Sequence, residues 1–319
     1  MKATLIATAI CLWVSMAVTD VGAQAYPSRP VTMVVPASPG GSTDAVGRIL
    51  AKLLEPRLKQ PVIIENRSGA GGYVGGSAVT RAAPDGYTLL FAPDVILYSN
   101  LFIKDQIVLS QELLPIASVG SSPFAMVANT KLPVKTMREF IAYIKANPGK
   151  YNYGVVGGTT VQLETTGFVR DNGLDMVAIP YPDTAGPVRA LASNTIQFFW
   201  TPITTVKSVL DTGAGIGLAV TSQARQSLAP EIPTAVEQGM NVRYYVTNGI
   251  FGPQKIPRDV VDTLYRASND VTSSAEGKAI LAKFGYESVA ADPAEISRQI
   301  SAQSKRYAEI AAAIGLKPQ

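Results

Sequence analysis

Val31-Thr-Met-Val-Val-Pro-Ala-Ser-Pro-Gly-Gly-Ser-Thr-Asp-Ala-Val-Gly47 is the stretch on which the reading of the fold turns. Val31 to Val35 predicts a buried strand, Pro36 to Gly41 a tight turn, and Ser42, Thr43 or Asp44 the start of a helix. Apolar residues at Val46, Ile49, Leu50, Leu53, Leu54 and Leu58 give that helix one apolar face. Gly40 and Gly41 allow backbone N–H groups to turn inward with no Cβ in the way. The first helical turn adds unpaired N–H donors and the positive end of the helix dipole. A strand, a glycine turn and a helix N-terminus in series suit a carboxylate or a phosphate. The same pattern also serves as a plain strand-to-helix connection closed by a Ser, Thr or Asp cap.

The chain has 319 residues, 47% of them hydrophobic and 16% charged, enough for a large core in one or two domains. Residues 1–25 read as a cleaved export signal. Lys2 supplies a positive start, Leu5 to Val18 is largely apolar, and Ala23-Gln24-Ala25 is a small-x-small cleavage site. The apolar run, about 14 residues, is short for a membrane span. Cys11 lies within it with no lipid-attachment motif before it. Once this leader is removed, the protein has neither Cys nor His. A large exported domain that is stable without disulfides suits the bacterial periplasm.

These absences restrict the chemistry. Without His there is no Ser-His-Asp triad, and without Cys there is no thiolate nucleophile or Cys-rich zinc site. No cofactor and no metal is expected. The mature charge, 28−1 basic against 24−1 acidic residues, stays at +4 and is dispersed along the chain. That pattern argues against nucleic acid and favours a small anion.

Beyond the first helix, Pro61 to Asn66 reads as a strand, Arg67 to Gly76 as a glycine loop leading into a helix, and Tyr87 to Phe91 as a strand. The loop spacing Gly69-x-Gly71-x-x-x-Gly75 departs from the dinucleotide fingerprint, although Asp94 lies near the place of an acidic ribose partner. Tight packing or a second ligand-facing turn suits this loop better. Leu114 to Val119 and Phe124 to Ala128 read as two strands. Thr136 with Glu139 has capping-box spacing. A second strand-and-helix series then begins, with Tyr151 to Val156, a Gly157-Gly-Thr-Thr160 turn and a helix from Val161. Glu231 to Gly239 reads as a surface helix, Tyr244 to Phe251 as a strand, and the remainder as helices. Alternating strands and helices predict an α/β chain with a largely parallel sheet, whose ligands sit beyond the carboxyl ends of the strands. The chain leaves one domain, builds a second and returns, which predicts two lobes joined by a hinge. Residues 26–126 and 247–319 would form one lobe and residues 127–246 the other.

Several stretches, in order, resemble the substrate-binding receptors of tripartite tricarboxylate transporters, the Bug proteins. They are Tyr26-Pro-Ser-Arg-Pro30, Val34 to Asp44, Gln60-Pro-Val-Ile-Ile-Glu-Asn-Arg-Ser-Gly-Ala-Gly-Gly72, Ala83-Pro-Asp-Gly-Tyr-Thr-Leu-Leu90, Ala146 to Gly154 and Ile232 to Gly239. The resemblance implies a type-2 periplasmic binding protein fold, capture of a small carboxylate between the lobes, delivery to membrane permease subunits, and a monomer. It places the first-lobe turn at Ala37 to Asp44 and the second at Gly157 to Gln162. Gln162 stands where the family usually has His. Tyr181-Pro-Asp183 and Trp200-Thr201 also depart from the family pattern, towards a neutral and aromatic pocket that fits an aromatic acid or a dicarboxylate.

The expected ligand-binding residues are therefore Ala37, Ser38, Gly41, Ser42, Thr43 and Asp44 from the first turn, and Gly158, Thr159, Thr160 and Gln162 from the second. Tyr73, Asp94, Asp183 and Trp200 complete the set. Asp44 reads better as a helix cap than as a ligand contact, because carboxylates repel. Trp200 reads equally as a core aromatic and as a stacking ring, and Asp183 more as a turn residue than as a partner for a hydroxyl or amine. Two other functions share these features. One is a periplasmic enzyme using acidic residues on a carboxylate or ester, separable by turnover of candidate acids. The other is a ligand sensor subunit for a membrane signalling protein, separable by normal uptake in a deletion strain.

Overall fold

The computed structural model describes residues 26–318 except 184, 243 and 290, so the expected leader, residues 1–25, lies outside the described residues. Strand β1 (Val31–Val35) has four of its five residues buried. Helix α1 (Ser42–Leu58) follows and turns Val46, Leu50, Ala51, Leu54 and Leu58 inward. Next come β2 (Val62–Asn66), α2 (Tyr73–Thr80) and β3 (Thr88–Pro93), then a 3-10 segment (Asp94–Leu101) and the one-turn α3 (Leu109–Glu112). β1 pairs in parallel with β2 on one side and β3 on the other.

Strand β4 (Leu113–Asn129) is a single strand of 17 residues, where the sequence predicted two. The Gly120-Ser-Ser-Pro123 stretch looks like a break. Register shifts between Pro115 and Ala117 and between Ser118 and Gly120 absorb the irregularity instead. Pro123 is the last residue to pair before the strand changes partners, where a missing N–H costs little.

The second half of the chain runs α4 (Met137–Lys145), β5 (Tyr151–Val156), α5 (Thr160–Asp171), β6 (Met176–Tyr181), α6 (Ala185–Ala192), β7 (Phe198–Pro202), α7 (Ile203–Asp211) and β8 (Gly215–Val220). α4 is capped as its sequence predicts, with Glu139 N–H donating to Thr136 Oγ1 at 3.1 Å. Glu231 to Gly239 is a series of turns and not a helix. Ile232, Thr234 and Ala235 are buried there, and backbone bonds from Val220 N to Pro233 O and from Ala235 N to Val220 O fix the segment against β8. That tertiary pairing prevails over the local helical pattern. The chain then returns through β9 (Tyr245–Pro253) and ends in α8 (Arg258–Ser273), α9 (Ala275–Lys283) and α10 (Pro293–Ala313).

The strand order is β2-β1-β3-β9-β4-β7-β5-β6, with β8 also on β4. β4 pairs with β9 up to Pro123, and with β7 and β8 from Phe124 onward, so it passes from one half of the sheet to the other. Directions along the sheet decide where the turns point. β1 and β3 run parallel to β4, because both are related to it through the antiparallel β9. β5 runs antiparallel to β4, being parallel to β7. The carboxyl ends of β1 and β3 therefore point towards the second lobe, and that of β5 points back towards the first.

α8 and α9 cover the same face of the first lobe as α1, around Met33, Leu50, Val260, Leu264 and Leu281. α10 lies on the opposite face and touches both lobes. Tyr307 packs edge-on against Tyr98 of the 3-10 segment at 4.9 Å, and Ile310 presses on Gly167 of α5.

Candidate functional site

The first turn is held by Asp44. Its Oδ2 accepts Gly40 N–H at 2.8 Å and Arg48 Nε–H at 3.0 Å, and its Oδ1 accepts Asn66 Nδ2–H at 2.8 Å. Asn66 also donates to Ala37 O at 3.0 Å, and so joins the end of β2 to the turn after β1. The Arg48 hydrogen bond, helped by Gly40 and Asn66 and opposed by burial, lowers the Asp44 carboxyl to about 2. Asp44 is buried and both of its oxygens are engaged, so it is a turn-locking residue and not a ligand contact. Neither is it the cap, since Gly41 takes that place.

Ser38, Gly41 and Ser42 are exposed, and Ala37 and Thr43 half-buried. Gly41 N–H is taken by Ser38 O at 3.3 Å. The amides of Ser42 and Thr43 open α1 and meet no acceptor among the described residues. The donors that remain for an anion are therefore Ser42 and Thr43, and not Gly41.

The second turn has the same construction. Gly157 N–H goes to Tyr181 O at 3.0 Å, Gly158 N–H to Gln162 Oε1 at 2.9 Å, and Thr159 Oγ1–H to Val156 O at 2.7 Å. Thr160 is buried, with its hydroxyl bonded to Tyr244 OH at 3.0 Å, so its side chain does not face a ligand. The amides of Thr160 and Val161 remain as unpaired donors at the start of α5.

The four other expected contacts lie elsewhere. Tyr73 accepts Ile107 N–H on its hydroxyl at 3.1 Å. The glycine loop before it serves packing: a Cβ on Gly72 would meet Ile96 at 2.7 Å, and one on Gly75 would meet Pro36 at 2.8 Å. Asp183 caps α6 by accepting Gly186 N–H at 2.8 Å. Trp200 is core, 1% exposed, with its ring 5.8 Å from those of Phe168 and Tyr244. The little of it that is not covered borders a cavity of about 550 Å³ with Glu164, Phe168 and Arg306, which no residue of either turn lines.

Asp94 follows β3 and accepts Thr247 N–H of β9 at 3.1 Å. Burial raises its carboxyl to about 7 against the opposing backbone hydrogen bonds. Part of the residue faces a cavity of about 530 Å³ between β4, β9 and α10, lined also by Tyr98, Thr247, Gln303 and Tyr307. No residue of either turn lines that cavity.

Sequence reading named Asp44 and Gln162 but missed the other residues that fix the turns. Arg48 was signalled by its i, i+4 spacing from Asp44. Asn66 and Tyr244 gave no local signal, because each reaches its turn through the fold. Among the described residues no group of three His, Cys, Asp or Glu side chains is placed to hold a metal. None of the described helices is long and apolar enough to cross a membrane. Each turn follows the carboxyl end of a strand and offers unpaired backbone donors, an arrangement suited to holding an anion.

Comparison with known proteins shows the family. The model of the tripartite tricarboxylate transporter family receptor matches residues 46–316. Protein BugT of Bordetella pertussis is 30% identical over 304 residues, covering 93% of each chain. An R. palustris protein solved with adipate is 27% identical, with a TM-score of 0.69 over 92% of this chain and 100% of that one. MatC from Rhodopseudomonas palustris, with bound malate, is 25% identical, with a TM-score of 0.66 over 90% and 100%. The chain belongs to the tripartite tricarboxylate transporter receptor family, the Bug-type solute-binding proteins, and has their two-lobed α/β fold.

Proposed function

We propose that this protein is a periplasmic receptor that captures a small carboxylate between its two lobes and delivers it to membrane permease subunits. Residues 1–25 are its cleaved signal, and the lobes divide close to where β4 changes partners. The observation that carries the reading is the pair of turns, each opening a helix with amides that lack an acceptor, at Ser42 and Thr43 and at Thr160 and Val161. Structures of relatives with adipate and malate support a carboxylate as the ligand class. Membership of a receptor family supports binding without turnover.

Hydrogen bonds to a charged group contribute about 1.5–3 kcal/mol each. Three would give roughly 5–9 kcal/mol gross, which suits micromolar affinity if the turns are already in place. Asp44 and Gln162 supply that preorganisation. Hinge bending along β4 and β9 would close the lobes over the ligand and present one continuous face to the permease.

Proline at residue 42 provides the test. Gly41 is extended, with φ −71° and ψ 166°, as a residue before proline prefers, and the first helical position tolerates proline. Ser42→Pro therefore removes one N–H donor and leaves the turn intact. In a thermal-shift and calorimetric screen of mono- and dicarboxylates, affinity for the best acid should fall about 10-fold or more, with the unliganded melting point unchanged. Unaltered affinity would remove the first turn from the site.

A further inference from the structure

The cavity of about 530 Å³ between β4, β9 and α10 carries charges opposite to those of the chain as a whole. The protein has a net charge of +4, yet the described residues around this cavity include the carboxyl groups of Asp94 and Glu287 and no Lys or Arg. Glu287 is partly engaged, since Gln226 Nε2–H donates to its Oε1. Asp94 is held by backbone N–H groups, that of Thr247 among them. Burial raises its carboxyl to about 7, with no positive group among the described residues to oppose the rise. Tyr98, Tyr244 and Tyr307 also line the cavity, the first and last set edge-to-face.

A β-bulge aims a further group into the same space. Ser118 and Ser121 of β4 both line the cavity, opposite Gly249 and Thr247 of β9. Residues three apart on a regular strand point to opposite faces, and the register shift between Ser118 and Gly120 brings these two to one side. The Ser121 hydroxyl is bonded to Thr247 Oγ1 at 2.8 Å. The Ser118 hydroxyl has no partner among the described residues, although the residue is only 7% exposed. A buried hydroxyl left unbonded costs stability, and a ligand atom in the cavity would satisfy it.

We propose that this cavity is a second binding site, for a small organic amine with an apolar body and a polar group at its far end. Asp94 holds the ammonium group, Ser118 bonds the far group, and the tyrosine rings contact the ligand between them. An organic cation fits better than a metal ion, because among the described residues no group of three His, Cys, Asp or Glu side chains is placed to hold one. The site stands apart from the two turns and does not depend on the carboxylate reading.

Tyramine is the probe, with tyrosol as its neutral counterpart and 2-phenylethylamine lacking the hydroxyl. Calorimetry at pH 8 keeps the amines protonated and Asp94 largely ionised on binding. Tyramine should bind wild type at least about 10-fold more tightly than tyrosol does. Asp94→Asn keeps an oxygen for Thr247 N–H, and should weaken tyramine about 10-fold or more while leaving tyrosol within twofold. Ser118→Ala removes the unbonded hydroxyl, so the unliganded melting point should hold or rise. It should weaken tyramine about threefold or more and leave 2-phenylethylamine within twofold. Ser42→Pro should bind tyramine as wild type does. Failure of wild type to bind tyramine, equal binding of tyrosol, or tyramine affinity unchanged in Asp94→Asn would overturn the site. An equal loss of tyramine in Ser42→Pro would place the amine at the first turn and overturn it as well.

Discussion

Asp44 shows what one side chain does to a binding turn. By accepting from Gly40, Arg48 and Asn66 together it fixes the loop that presents Ser42 and Thr43. Asp44→Ala would leave a backbone N–H and an amide without acceptors, at a cost of about 2–3 kcal/mol; urea denaturation would measure it. The pH dependence follows from the lowered carboxyl. Its folded value, about 2, lies below the ordinary 3.8, so its contribution is complete above about pH 4 and is lost as pH falls through about 2. Acid unfolding of Asp44→Asn should therefore be flatter than that of wild type in this window. A mutant curve parallel to that of wild type would show that the charge contributes nothing.

At the scale of elements, β4 and β9 carry the connection between lobes, and Asp94 ties the 3-10 segment to β9 through Thr247 N–H. Burial without a nearby cation raises Asp94 to about 7, and Tyr98 and Tyr244 face it. The sign is opposite to that of Asp44. The folded state binds the proton more tightly than the unfolded chain, so stability declines as pH rises from about 4 through about 7. Burial also raises Glu164 on α5, which adds to the same slope. Asp94→Asn should flatten it, and melting points at pH 5 and pH 8 would show the difference. A mutant with the full wild-type slope would assign the effect to Glu164 instead.

For the whole molecule, α10 is a helix that packs against both lobes. Gln303 donates to Glu164 of α5 at 2.8 Å, Tyr307 stacks edge-on to Tyr98, and Ile310 Cδ1 would lie 2.8 Å from a Cβ on Gly167. Gly167→Val should wedge α5 away from α10 and cost about 1–3 kcal/mol through overpacking. Calorimetric unfolding would register it as a lower midpoint. No loss would mean that the contact adapts freely.

The sequence by itself determined the α/β class, most of the strands and helices, the two glycine turns and the family, because each rests on local periodicity, capping residues and short motifs. Asp44 read as a helix cap from sequence, whereas Gly41 holds that position and Asp44 locks the preceding turn, with Arg48 one helical turn away. The continuity of β4 was not legible, since Gly120 and Pro123 look like a break until a long strand has partners on both sides. Thr160, Trp200 and Asp94 required the tertiary structure for the same reason. Tyr244, Phe168 and Thr247, which engage them, come from distant segments, and a residue whose partner lies far along the chain carries no local mark of being occupied.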